Sequence, residues 1–324
     1  MGSRLRGTAG DNHLSDQPGP GGITAIRAGA IAMVLASSLL VSVAPNFSKL
    51  AYQSGASVPL VMAGRFLVTV FLLGVVLLWQ RRSFFTSGRV LRLCLLGGVT
   101  NAFLSFGMLT AITRIDLSLV ILIFYLHPIF IAWFGHLRGT YDLSRFRLLC
   151  CTLILVGLAL ALSVSFERLD ALGVACAVIA ACGAGGLIIA NGEATREAGA
   201  VLVNFYSASV ALLPVCVIGI AVGPLDLPGT GAGWLGLFGT GAAMCLGFAL
   251  FFAAMQPIGM VRATMLTVVE PVFTILLAMA LFGERLSAVQ WFGVAVVVSG
   301  LLLLEAPLDT VNRMLGAFRG DRPA

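Results

Sequence analysis

Two stretches of the chain, residues 115–160 (IDLSLVILIFYLHPIFIAWFGHLRGTYDLSRFRLLCCTLILVGLAL) and residues 258–303 (IGMVRATMLTVVEPVFTILLAMALFGERLSAVQWFGVAVVVSGLLL), align without a gap at a constant offset of 143 positions. Ile115, Pro128, Phe130, Leu143, Ser144, Gly157, Leu158 and Leu160 fall on Ile258, Pro271, Phe273, Leu286, Ser287, Gly300, Leu301 and Leu303. Leucine is common in this chain, so the Pro-x-Phe and Leu-Ser pairs in equivalent places carry the match. Each stretch holds two long apolar runs around a short polar break. The aligned runs are the fourth and fifth of the chain in one case and the ninth and tenth in the other, so each half holds five. Five is odd, and the second half would therefore enter a membrane with opposite polarity, as an inverted repeat.

Composition fixes the solvent. Of 324 residues, 59% are hydrophobic and 10% charged, and the mean hydropathy is +1.02. A soluble domain carries roughly 25% charged residues, and so few charges do not cover a soluble surface. The apolar runs are continuous rather than alternating, which selects helices over a barrel. A soluble enzyme, a DNA-binding domain and a secreted disulfide scaffold are excluded on this arithmetic. The seven cysteines (94, 150, 151, 176, 182, 216 and 245) lie in or beside apolar runs, with no C-x-x-C pair and no histidine at metal-ligand spacing. They read as small hydrophobes, and neither a metal nor a cofactor is expected.

Ten apolar runs are expected to span, at roughly 28–50, 58–79, 93–112, 117–137, 148–166, 171–191, 201–223, 233–254, 261–282 and 287–304. At about 1.5 Å per residue each crosses about 30 Å of hydrocarbon. The fold class is an all-α integral membrane protein, ten helices in two inverted five-helix repeats around a central cavity. The expected organisation is a polar tail over 1–24, a first repeat over 25–166, a second over 170–304 and a tail over 305–324. The first run is not read as a secretion signal, because it has no convincing small-x-small cleavage site, Pro45 sits badly for one and the repeat needs the span. With the N-terminus inside, fifteen arginines lie in inner segments. Only Arg114, Arg168 and Arg285 lie outside. Both termini are thus expected in the cytoplasm and the protein in the inner membrane.

Glu270-Pro271-Val272-Phe273, followed by Phe282-Gly283-Glu284-Arg285-Leu286-Ser287, Gln290, Gly293 and Gly300, resembles the end of the second repeat in the drug/metabolite transporter superfamily, ten-helix EamA-type branch. Asn46-Phe47-Ser48-Lys49, Arg65-Phe66 and Pro128 are first-half counterparts. The first half departs from the pattern at His127 and at Tyr141-Asp142. The resemblance implies a ten-helix bundle with a central cavity that moves amino acids, amines or drug-like metabolites without ATP. Export is the expected direction and protons are a candidate coupling ion. A passive facilitator or channel and a membrane scaffold are the alternatives. The partners expected are a small-molecule substrate and the lipid bilayer, with no nucleic acid. Gly231-Ala232-Gly233-Trp234-Leu235-Gly236 spells G-x-G-x-x-G but follows no strand, and no Walker A, H-E-x-x-H or G-x-S-x-G occurs, so no enzyme is expected.

Several polar groups lie within these runs. Glu270 falls near the middle of the ninth, where a carboxylate must be protonated, paired or wet. On a regular helix it shares a polar stripe with Thr267 and Thr274, and Pro271 frees a carbonyl one turn earlier. The expected role is proton coupling or amine binding. Its aligned partner His127 can bind or relay protons. On a regular helix, however, His127 faces Ile123, Phe130, Ile131 and Phe134, opposite Tyr125, unless Pro128 bends it. Lys49, on the turns loosened by Pro45, is a candidate for a substrate carboxylate. Asn101, Tyr125 and Asn191 are candidate cavity contacts or interhelical hydrogen bonds. For Arg65, facing the cavity and snorkelling to the interface stay open.

Overall fold

The computed structural model describes residues 20–164, 169–282 and 285–305. The C-terminal tail expected after residue 305, most of the N-terminal tail, Arg168 and Glu284 lie outside them. The described residues form twelve helices and no strand: α1 (Pro20–Gln53), α2 (Val58–Trp79), α3 (Gly88–Ile112), α4 (Leu117–Phe124), α5 (His127–Leu137), α6 (Arg145–Ala161), α7 (Ala171–Ala198), α8 (Ala200–Val222), α9 (Gly231–Ile258), α10 (Met260–Leu266), α11 (Glu270–Phe282) and α12 (Ala288–Glu305). Helix α1 begins at Pro20, inside the stretch expected as a tail. Eight segments are long and apolar enough to cross a membrane. Six are single helices, and the pairs α4–α5 and α10–α11 make one each. The fifth and tenth expected spans appear as shorter helices, α6 with 17 residues and α12 with its apolar part over 288–304. Large apolar side chains cover the outside as well as the interior. On α2, Phe71 and Leu78 are exposed while Leu73 and Leu77 are buried, the pattern of a helix between lipid and protein.

The two runs read as continuous helices are broken, and at aligned positions. The first stops at Phe124 and resumes at His127. The second passes through a 3-10 turn at Thr267–Val269 and resumes at Glu270. Proline supplies the reason. Pro128 and Pro271 have no N–H, and their rings crowd the carbonyls of Phe124 and Thr267 four residues back. The Glu270 N–H turns instead to the Thr267 carbonyl, closing the 3-10 turn.

Contacts run chiefly between the halves. Helix α1 packs on α9, α3 on α7, α2 on α8 and α6 on α12. Small residues allow the approach, as they do generally between membrane helices. A Cβ on Gly157 would stand 3.0 Å from the Gly293 carbonyl, and one on Gly293 2.6 Å from the Gly157 carbonyl. Gly107 and Gly183 play the same part between α3 and α7. The neighbours met along each pair run in reverse order: Pro59 with Gly219 and Gly74 with Phe205 for α2 and α8; Gly157 with Gly293 and Ile154 with Gly300 for α6 and α12. Both pairs are antiparallel.

One end of the bundle is rich in arginine. There Arg89 bonds Glu197 at 2.7 Å and Arg138 bonds Glu193, tying α3 and the end of α5 to α7. Single glycines, Gly199 and Gly259, join α7 to α8 and α9 to α10 at φ 80° and 87°, with ψ 155° and 152°. That backbone region is essentially reserved for glycine. At the opposite end, Asp170 accepts from the Leu172 N–H at the start of α7 and from Arg114 at 2.9 Å. The Arg114 bond holds its carboxyl below the usual carboxylate range.

Candidate functional site

A cavity of about 440 Å³ occupies the middle of the bundle and extends toward the arginine-poor end, reaching Leu117 and Leu162. Helices α1, α2, α3, α4, α7, α8, α9 and α11 all contribute to its wall. Toward the arginine-rich end it is closed by a packed apolar layer that includes Val34, Ile131, Phe252, Met255, Val261 and Met265. The volume lies within the range of about 300–1,000 Å³ usual for small-molecule sites.

The broken helices set their polar groups into this wall. Glu270 and His127 are each the first residue of a resumed helix, α11 and α5. A helix N-terminus is favourable ground for a carboxylate and poor ground for an imidazolium. The Tyr125 hydroxyl donates to a Glu270 carboxylate oxygen at 3.1 Å, joining the two broken segments across the cavity. Ser38 Oγ, buried beside that carboxylate, does not reach hydrogen-bond geometry with it. The Ser42 hydroxyl lies between the carbonyls of Ser38 (2.6 Å) and Glu270 (2.8 Å), so α1 holds the break in α10–α11 from outside. The Thr274 hydroxyl also donates to the Glu270 carbonyl at 3.0 Å, and that of Thr267 to the Thr264 carbonyl at 2.7 Å.

His127 does two things at once. Its Nδ1 lies 2.9 Å from the Phe124 carbonyl, the acceptor that Pro128 leaves without an amide. A carbonyl only accepts, so Nδ1 carries the proton. The ring also lines the cavity, 4.8 Å from the Phe124 ring and 5.8 Å from that of Tyr125. The expectation that His127 and Tyr125 face opposite ways is corrected here. It assumed an unbroken helix, and the break at Tyr125-Leu126 turns both toward the cavity.

The EamA-like transporter family matches residues 28–163 and again 171–305. The chain belongs to that family. EamA-like proteins form part of the drug/metabolite transporter superfamily, and this one is a multi-pass membrane protein of transporter type. A crystal structure of a protein at 19% identity superposes on the EamA-like chain with a TM-score of 0.72, covering 86% of this chain and 97% of its own. At that identity the likeness speaks for the fold alone. No curated protein matches the chain.

Of the residues singled out from the sequence, Glu270, His127, Tyr125, Asn101, Thr267 and Thr274 line the cavity, as do Pro45 and Pro271. Pro128 is buried behind it. Two others lie elsewhere. Lys49 is exposed on the last turns of α1, away from the lining. Asn191 is buried between α3 and α8, so close to Gly97 that a Cβ there would stand 2.1 Å from its Oδ1. A helix read alone does not say which neighbour it meets, and here α7 turns Asn191 toward α3. Sequence reasoning missed Ser37, Ser42, Thr69 and Asn204, which also line the cavity. Asn204 had the same signal as Asn101, an amide within an apolar run, but stands only a turn into α8. Arg65, left open between two orientations, faces the cavity.

Proposed function

We propose that this protein is a secondary active transporter that moves small, largely apolar metabolites bearing an amine through the central cavity, with Glu270 as the group that binds the amine and exchanges it for a proton. The observation that carries the reading is the Tyr125–Glu270 hydrogen bond, which sets one carboxylate into an otherwise mainly apolar wall at a helix break. A buried carboxylate is costly in the bilayer unless it is neutral or paired. A cationic substrate and a proton are therefore natural alternates at this position. Discontinuous helices meeting near the membrane midplane are a recurrent way of building such sites.

The alternating-access part of the proposal rests on the repeat. Under the offset of 143, α6 is the counterpart of α12. Extending the five-span count makes α2 the counterpart of α8, α1 of α7 and α3 of α9. Counterparts α2 and α8, and α6 and α12, pack antiparallel, and the pairs α1–α9 and α3–α7 exchange when the halves are swapped. Both features support ten spans in two inverted halves, one over 25–166 and the other over 170–304. The excess of arginine at one end supports placing that end, and both termini, in the cytoplasm of the inner membrane. The cavity then faces outward, and export requires the apolar layer below it to part.

The test is counterflow in proteoliposomes across a panel of amino acids and amines under an imposed pH gradient, repeated with Glu270→Gln. Gradient-driven accumulation is expected for the native protein and its loss for the variant. Unchanged gradient-driven uptake in Glu270→Gln would remove the coupling role, and flux indifferent to the gradient in both would leave a passive facilitator.

A further inference from the structure

Arg65 is the one cavity-lining cation among the described residues, and the apolar wall gives it little to hold. One terminal nitrogen donates to the Ser105 hydroxyl at 2.8 Å, while Nε is buried without a partner. The guanidinium also lies 4.8 Å from the centre of the adjacent Phe66 ring. No carboxylate among the described residues comes within 4.0 Å of it, and the ion pairs there are all elsewhere. A guanidinium carries five N–H donors in a planar fork matched to a carboxylate. A buried charge without a counter-ion is costlier still than a buried neutral polar group without a partner. Arg65 does not snorkel away from the interior; it stands at the cavity wall with unused donors.

We infer that Arg65 is an anion-binding residue of the cavity and that the transported compound carries a carboxylate as well as an amine. This deepens the reading in which Glu270 takes the amine and rests on it for the second charge. Arg65 on α2 and Glu270 on α11 do not pair with each other, so the space between them is left to a ligand. A ligand with both charges satisfies both groups at once. A plain amine leaves the guanidinium unpaired, and a plain acid leaves the carboxylate so. Asn101 and Asn204, the latter with a buried Nδ2 lacking a partner, add neutral donors in the same wall. The remaining lining, with Phe66, Phe248, Phe251 and Met244, suits an aromatic or aliphatic body.

The test measures binding to the full-length protein in detergent by isothermal titration, with three probes. Glycylphenylalanine has both charges, its methyl ester keeps only the amine, and its N-acetyl form keeps only the acid. The dipeptide is expected to bind the native protein at least tenfold more tightly than either derivative, the scale of one charge-assisted bond. Arg65→Gln should reduce dipeptide affinity to that of the ester and leave ester binding unchanged, and Arg65→Lys should restore part of the loss. Glu270→Gln should weaken the ester and the dipeptide but not the N-acetyl form. Equal binding of dipeptide and ester to the native protein, or an Arg65→Gln loss shared equally by all three probes, would overturn the assignment of Arg65. An ester indifferent to Glu270→Gln would instead overturn the amine site and leave Arg65 standing.

Discussion

Pro128 takes one amide from its span and His127, the residue before it, gives a donor back through its ring. The aligned site in the second half solves the same problem with backbone alone, since the Glu270 N–H closes the 3-10 turn. Its side chain is thereby free to meet Tyr125. The sequence marked both positions, because an ionisable residue before a proline inside an apolar run has few structural uses. The facing of His127 was misjudged, since a regular helical wheel cannot represent a break. The Tyr125–Glu270 bond is testable by a double-mutant cycle. Tyr125→Phe and Glu270→Gln should each lower the thermal midpoint in detergent, and the pair should be non-additive by about 0.5–3 kcal/mol. Strict additivity in tryptophan-fluorescence melting would show that the two groups do not interact.

At the scale of elements, the joints between helices are as specific as their faces. Gly259 adopts φ 87° with ψ 152° between α9 and α10, and a Cβ there would meet nothing within 4 Å. Gly259→Ala therefore tests backbone strain alone, with no steric clash to confuse it. A loss of about 1–3 kcal/mol is expected, read as a lowered melting midpoint. An unchanged midpoint would mean that the α9–α10 joint relaxes at no cost. The length and apolarity of the elements were legible, since each expected run corresponds to a helix or a helix pair. Their interruptions were only half legible. Proline marks where a donor is missing, but whether a span bends, breaks or is re-bonded depends on the neighbouring groups that take up the freed carbonyl.

For the whole molecule, an apolar layer closes the cavity toward the arginine-rich end, and beyond it the Arg138–Glu193 and Arg89–Glu197 pairs tie the end of α5 and α3 to α7. Such exposed pairs contribute at most about 1 kcal/mol each, so they can break during a transport cycle. If α5 and α7 separate there, a reducible bis-thiosulfonate cross-link between cysteines placed by Arg138→Cys and Glu193→Cys in a background lacking the native cysteines should stop counterflow, and reduction should restore it. Flux that persists with the cross-link formed would rule out parting at that seam. Sequence by itself determined the solvent, the helical class and the doubled pattern, because these follow from composition, run length and spacing along one chain. Which polar groups share a space was decided only by tertiary structure. Lys49 and Asn191 look as promising along the chain as Asn101, and Arg65 looks ambiguous. A polar group in an apolar helix finds its partner by rotation about the axis and by the helix it is packed against, and neither is written in its own span.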